Sequence, residues 1–117
     1  MSPPVESWAR AFLATQVIEV PVVVGWLRGK VPVREAVPLA ILASTLTHPL
    51  LWYAWPTFQP YWLWLGTGEA LVWTAEGLLY AAWLHRRGAP RPLLTGVLVS
   101  CLANASSMLT GLLVARG

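Results

Sequence analysis

Charge is scarce in this chain of 117 residues: only 11% are charged, against roughly a quarter in a typical soluble domain. Aspartate is absent, and all five acidic residues are glutamates. A soluble protein of this length would need more polar surface than these side chains can supply. The shortage of charge therefore argues against a soluble globular domain.

The sequence also lacks the short motifs that mark several kinds of functional site. Its single cysteine, Cys101, cannot form an intramolecular disulfide and is expected to be a small packing residue. HExxH, the ExxH pairs of di-iron bundles and CxxCH are missing, so no standard metal or haem site is indicated. The basic residues form no clustered face, which argues against nucleic-acid binding.

In place of charge the chain has long apolar runs, and 56% of its residues are hydrophobic. A helix needs about 20 mostly apolar residues to cross a bilayer. Continuous runs favour helices over the alternating strands of a membrane barrel. We therefore predict one all-α membrane domain over residues 1–117, a bundle of four transmembrane helices. The predicted spans are approximately 11–27, 36–55, 61–84 and 93–115.

The basic residues predict how this bundle is oriented. Six of the eight fall in the predicted first and third loops, and none falls in the second loop, PTFQP. These six are Arg28, Lys30, Arg34, Arg86, Arg87 and Arg91. Because positive charge marks the cytoplasmic side, both termini are predicted to face outward. The first span lacks a basic leader and a cleavage site, so we expect a retained helix in a bacterial-type cytoplasmic (inner) membrane.

Aromatic residues flank the predicted outer loop. They are Trp52, Tyr53, Trp55, Tyr61, Trp62 and Trp64. Rings that are apolar at one end and polar at the other collect at the headgroup level of a membrane. We interpret them as an interfacial belt, with a recognition surface for a partner or a carbohydrate as the alternative.

Three of the five glutamates fall inside the predicted spans: Glu19, Glu69 and Glu76. A charge at the centre of a membrane helix costs about 3 kcal/mol or more, so such residues usually face the bundle interior or a water-filled path. His48 and Asn104 are predicted at similar depth on the second and fourth spans. These five residues are the candidate binding site for protons, ions or substrate.

Helical spacing places the polar residues of each span on one stripe. Glu69 and Glu76 are seven residues apart and share a face. The other stripes are Thr15, Gln16 and Glu19; Ser44, Thr47 and His48; and Ser100, Asn104, Ser107 and Gly111. Four helices with one polar stripe each are best accommodated when all the stripes turn inward.

Two prolines lie beside the candidate site residues. Pro21 follows Glu19 by two positions, and Pro49 directly follows His48. Proline has no N–H and frees the carbonyl four residues earlier. We therefore predict helix kinks at Pro21 and Pro49, whose freed carbonyls would add acceptors to the polar centre.

These residues favour a small transporter or channel for protons, cations or a small solute. Loss of water favours the neutral form of a carboxylic acid, so a buried glutamate can gain and lose a proton near neutral pH. In this hypothesis Glu69 and Glu76 carry the proton or cation, His48 pairs with them or gates them, and Asn104 completes the polar path. So small a protein usually needs two or more copies to enclose a path, which predicts a homo-oligomer.

Two other functions stay open at this point. One is an intramembrane enzyme, such as a hydrolase that uses the same Glu/His cluster. No cofactor is predicted, although carboxylate and imidazole ligands from Glu19, His48, Glu69 and Glu76 would suit a divalent metal. The other is an accessory subunit of a larger membrane complex. In each case the bilayer is a predicted partner and nucleic acid is not.

Overall fold

A computed structural model of the chain describes residues 5–54, 56 and 60–116. Over these residues the chain forms four α-helices and one short π-helix, and no strand. The helices are α1 (Val5–Trp26), α2 (Val33–Pro49), the π-helix (Leu50–Ala54), α3 (Tyr61–Arg86) and α4 (Pro92–Arg116). The predicted all-α class is confirmed for this part of the chain.

The helices differ from the predicted spans mainly at their ends. The first begins at Val5 rather than near residue 11, because backbone hydrogen bonding continues through polar residues that an apolar run excludes. An ion pair of 2.6 Å between Arg10 and Glu6 lies on this first part of α1. In the second span, α-helical geometry ends at Pro49, and the π-helix carries the chain to Ala54.

The turns that follow α1 and α3 lie at the same end of the bundle. Gly29 and Gly88 adopt positive φ angles of 86° and 73° in these turns, a conformation that glycine adopts without steric cost. Arg87, at the end of α3, forms an ion pair of 3.1 Å with Glu35 in the first turn of α2. This contact ties the two turns together.

Helices α3 and α4 approach each other closely at Gly96. A Cβ atom added there would lie 2.5 Å from the backbone nitrogen of Ala81 and 2.7 Å from the carbonyl oxygen of Gly77. Only glycine lets the two backbones come so close. The contact determines how the next two turns of α4, which carry Ser100 and Asn104, meet α3.

The interior of the bundle combines a core of buried apolar side chains, such as Leu27 and Leu84, with a smaller set of buried polar ones, and much of the exterior is apolar. Glu19, Glu76 and Asn104 are buried, whereas Val17 is 74% exposed and Trp62 is 71% exposed. Within the part of the chain that the structure describes, two helices are long and apolar enough to cross a membrane, over Ala9–Trp26 and Pro92–Thr110. Of the aromatic residues flanking the outer loop, Tyr53 and Trp62 are exposed and Trp64 is half-buried. Trp55 lies outside the described residues, as do the side chains of Trp52 and Tyr61.

Candidate functional site

The carboxyl group of Glu76 is the centre of the polar interior. Its side chain on α3 is 1% exposed. Thr47 of α2 donates a hydrogen bond of 2.6 Å from Oγ1 to Glu76 Oε2. Asn104 of α4 donates one of 2.9 Å from Nδ2 to Glu76 Oε1. Both carboxyl oxygens are therefore held by donors from neighbouring helices.

Asn104 is itself positioned by a second set of hydrogen bonds. Its Nδ2 atom lies 2.9 Å from the carbonyl oxygen of Ser100 and 3.3 Å from Ser100 Oγ, one turn earlier on α4. The Ser100 hydroxyl donates a hydrogen bond of 2.6 Å to the backbone carbonyl of Trp73 on α3. The close approach at Gly96, one turn before Ser100, makes these short contacts between α3 and α4 feasible.

Glu19 is the second fully buried carboxyl group. Its side chain on α1 is 2% exposed. The Ser107 side chain of α4 lies beside it, and Glu76 and Glu69 lie within electrostatic range. The Oε1 atom of Glu19 has no hydrogen-bond partner among the described residues. The structure thus brings two carboxyl groups together and leaves one of their oxygens without a donor.

Glu69 lies farther from the centre, on the same face of α3. Its side chain is half-buried and accepts a hydrogen bond of 3.0 Å from Trp73 Nε1, one turn along the helix. Trp73 therefore contacts both parts of the site: its indole holds Glu69, and its backbone carbonyl accepts from Ser100.

His48 lies at the contact of α1 with α2. Its ring packs edge-on against Phe12, with 5.8 Å between ring centroids, and its Nδ1 atom has no partner in the part of the chain described. Gln16, one turn along α1 from Phe12, is half-buried, and neither polar atom of its amide has a partner there. Polar groups that are incompletely hydrogen-bonded therefore lie at Gln16 and Glu19 of α1 and at His48 of α2, which packs against α1.

The two prolines occupy different positions relative to the site. Pro21 lies within α1 and is exposed, and Val17, whose carbonyl it leaves without an intrahelical donor, points its side chain outward. Pro49 follows Thr47 by two residues, and the π-helix begins directly after it. Since π-helical turns often occur at functional sites, Pro49 has the closer relation to the polar centre.

A groove of about 330 Å³ lies between α2, the π-helix and α3. It is lined by Thr47, Leu50, Ala54, Gly68, Leu71, Val72 and Ala75. Thr47 is the lining residue whose side chain also contacts Glu76. The groove thus reaches the polar centre through one hydroxyl group.

The predicted set of metal ligands does not come together as a cluster. Among the side chains that the structure describes, no group of three His, Cys, Asp or Glu residues could hold a metal ion. Glu19, Glu69 and Glu76 interact with one another, but the described contacts of His48 are with Phe12. The transition-metal hypothesis therefore gains no support.

Several residues of the site were absent from the sequence-based set of candidates. Thr47 donates a hydrogen bond to Glu76, Ser107 lies beside Glu19, and Ser100 positions Asn104. All three belong to the polar stripes recognised in the sequence. Spacing could have indicated Ser100, four residues before Asn104, but nothing local distinguishes Thr47 from the other hydroxyl residues of α2.

Comparison with protein-family models, curated proteins and solved structures finds no significant match to this chain. Two buried carboxyl groups and a third half-buried one lie within electrostatic range of one another, and every Lys and Arg side chain described in the structure is exposed. Among the described residues, the site therefore has carboxyl oxygens that can bind a cation and no Lys or Arg side chain.

Proposed function

We propose that this chain is a four-span integral membrane protein that moves protons, cations or a small solute through the centre formed by Glu19, Glu76 and Asn104. The observation that carries the proposal is the burial of the Glu76 carboxyl group inside a bundle with an apolar exterior. An ionisable group at such a position is expensive in a membrane and usually lies on an ion or proton pathway.

The lengths of the helices support four crossings. At about 1.5 Å per residue, the 26 residues of α3 span about 39 Å, compared with about 30 Å for the hydrocarbon core of a bilayer. The stretch from Val33 to Ala54, which joins α2 to the π-helix, spans about 33 Å by the same rise. The bundle is 44 Å long, which matches the thickness of a bilayer with its headgroups.

The basic residues support an orientation with both termini outside. Arg28, Lys30 and Arg34 lie in or beside the turn after α1, and Arg86, Arg87 and Arg91 lie in or beside the turn after α3. The ion pair between Arg87 and Glu35 holds these two turns at one end of the bundle. The positive-inside rule favours a cytoplasmic location for this end, and we propose a bacterial-type inner membrane.

The groove beside Thr47 supports a route from the outside of the bundle to the carboxyl groups. Its other lining residues are apolar or glycine, so an ion or solute that enters meets Thr47 first and then Glu76. Glu69 is half-buried at another edge of this centre, and His48 is half-buried where α1 meets α2. A second copy of the chain packed there would enclose them, which is the reason to propose a homo-oligomer.

The experiment that tests this function is flux in proteoliposomes that contain the purified chain. Proton and cation fluxes are compared for the wild type, Glu76→Gln and the matched control Glu6→Gln, which changes an exposed glutamate at the start of α1. We expect Glu76→Gln to lose most of the flux while helicity and oligomeric state are unchanged, and Glu6→Gln to keep it.

Two results would contradict the proposal. Absence of flux from well-folded wild-type protein would refute autonomous transport, and flux that survives Glu76→Gln would remove this carboxyl group from the pathway. Recovery of activity only together with a larger membrane protein would favour the accessory-subunit alternative instead.

A further inference from the structure

We infer that Glu19 and Glu76 form a binding site for Na⁺, a small monovalent metal cation. Hydroxyl oxygens from α2 and α4 complete the site. This inference deepens the proposed function, because it names the ion that the polar centre binds. It begins from an oxygen atom that the fold leaves without a partner.

The unpartnered Glu19 Oε1 atom is the first observation. It belongs to a side chain that is 2% exposed and has no hydrogen-bond donor among the described residues. Buried polar atoms in proteins nearly always have a partner, because an unsatisfied one costs roughly 1–3 kcal/mol, and a charged one costs more. Such an acceptor calls for a proton, a water molecule or a cation.

A second buried oxygen without a partner lies on α2. Ser44 is 1% exposed, and its Oγ atom has no hydrogen-bond partner in the part of the chain described. Ser44 is three residues before Thr47, so both hydroxyl groups lie on the same face of α2, and Thr47 contacts Glu76. The unpartnered Ser44 Oγ atom therefore lies on the face of α2 that meets the carboxyl centre, and the unpartnered Glu19 Oε1 atom belongs to that centre on α1.

The charges of the centre accommodate one monovalent cation beside one proton. The titratable groups that interact with Glu19 are Glu69, Glu76 and Tyr80 of α3, and the half-buried titratable groups described on α2 and α4 include His48 and Cys101. Two carboxyl groups within electrostatic range repel each other when both are ionised. One proton and one monovalent cation make the pair of Glu19 and Glu76 neutral.

The ligand chemistry favours a hard cation over a transition metal. A transition-metal site would need a cluster of acidic, histidine or cysteine ligands, and no group of three occurs among the described side chains. Carboxylate, hydroxyl and amide oxygens are the ligands of hard cations. The exchange is balanced: Na⁺ binds the ionised carboxylate, and the proton that this carboxyl group held leaves for the solvent.

The site is tested by equilibrium binding to the full chain in detergent. The midpoint of thermal unfolding is measured as NaCl replaces choline chloride at constant ionic strength, with KCl for comparison. A ligand that binds only the folded state raises this midpoint with concentration. We expect Na⁺ to raise it more than K⁺, and choline to have no effect. In weakly buffered solution, Na⁺ addition should release one proton per site.

Variants assign the effect to particular oxygens. Glu19→Gln should weaken Na⁺ binding at least tenfold, and Ser44→Ala should weaken it about threefold. The exposed control Glu6→Gln should bind Na⁺ as the wild type does. Glu19→Gln keeps the side-chain shape and can still lie beside Ser107, so its fold should be retained. If it does unfold, Ser44→Ala and the proton-release measurement still decide.

Equal unfolding midpoints in Na⁺ and choline would overturn the inference and indicate that protons alone neutralise the two carboxyl groups. Na⁺ stabilisation that persists undiminished in both Glu19→Gln and Ser44→Ala would overturn it as well. Failure of this inference can be distinguished from failure of the proposed function. If Glu76→Gln abolishes proton flux but the wild type does not bind Na⁺, only the cation site is refuted. If the wild type binds Na⁺ but shows no flux, only transport is refuted.

Discussion

Replacement of Gly96 by alanine should open the contact between α3 and α4. The added Cβ would lie 2.5 Å from Ala81 N, 2.8 Å from Ala81 Cα and 2.7 Å from the carbonyl oxygen of Gly77. All three are backbone atoms within a helix, so no side-chain rotation can relieve the clash. Ordinary contact between heavy atoms needs about 3.5 Å, so the helices must separate locally by about 1 Å.

The cost follows from this separation and from what it does to the site. Overpacking at a helix contact costs about 1–3 kcal/mol. An opening of about 1 Å would also stretch the contact from Ser100 Oγ to the Trp73 carbonyl, now 2.6 Å, beyond hydrogen-bond length, with a loss of about 1 kcal/mol. Higher helix propensity of alanine returns up to about 1 kcal/mol. We expect Gly96→Ala to lower the free energy of unfolding by about 1–3 kcal/mol.

The measurement is reversible unfolding in mixed detergent micelles, followed by helical circular dichroism. The matched control is Gly66→Ala in α3, where an added Cβ meets nothing within 4 Å. The control should be neutral or slightly stabilising, because only helix propensity changes. If Gly96→Ala is as stable as the wild type, the α3–α4 contact does not have the close geometry described above.

Three further predictions follow from individual contacts. Thr47→Val keeps the shape of the side chain but removes the donor to Glu76, so it should lower the free energy of unfolding by about 1–3 kcal/mol, with Thr47→Ser as the control that restores the hydroxyl. Ala75→Leu should fill the groove and reduce flux in proteoliposomes, whereas Ala70→Leu, exposed on α3 outside the groove, should not; equal flux in both would remove the groove from the route. Arg87→Ala breaks an ion pair that is partly exposed, so the change in unfolding free energy should stay below about 1 kcal/mol, and a larger loss would contradict a weak surface interaction.

The sequence predicts the helices better than it predicts their ends. Long apolar runs and charged turns indicate where four helices lie, because the length of an apolar run reflects a property of each segment alone. The helix ends depend on local hydrogen bonding, so α1 extends back to Val5 beyond its apolar run. The change to π-helical geometry after Pro49 was not predicted, although the missing N–H of proline is a local signal for a break.

The site was predictable in its composition but not in its pairing. One polar stripe per helix was enough to select Glu19, Glu76 and Asn104, and these side chains are buried. Which donor meets which carboxyl oxygen depends on how far each helix is rotated and on how closely α3 and α4 approach at Gly96. Thr47 on α2 and Glu76 on α3 are far apart in the chain, so no local spacing could single out Thr47 as a donor to Glu76.

The Thr47 hydroxyl has one hydrogen and three acceptors within reach. Its oxygen lies 2.6 Å from Glu76 Oε2, 3.0 Å from the carbonyl oxygen of Ala43, one turn earlier on α2, and 3.4 Å from that of Ser44. An ionised Glu76 draws this hydrogen to itself, whereas a carboxyl group protonated at Oε2 donates instead and turns the hydrogen toward Ala43. A change of charge deep in the bundle is thereby transmitted to the wall of the groove as the rotation of a single O–H bond, without displacement of a helix.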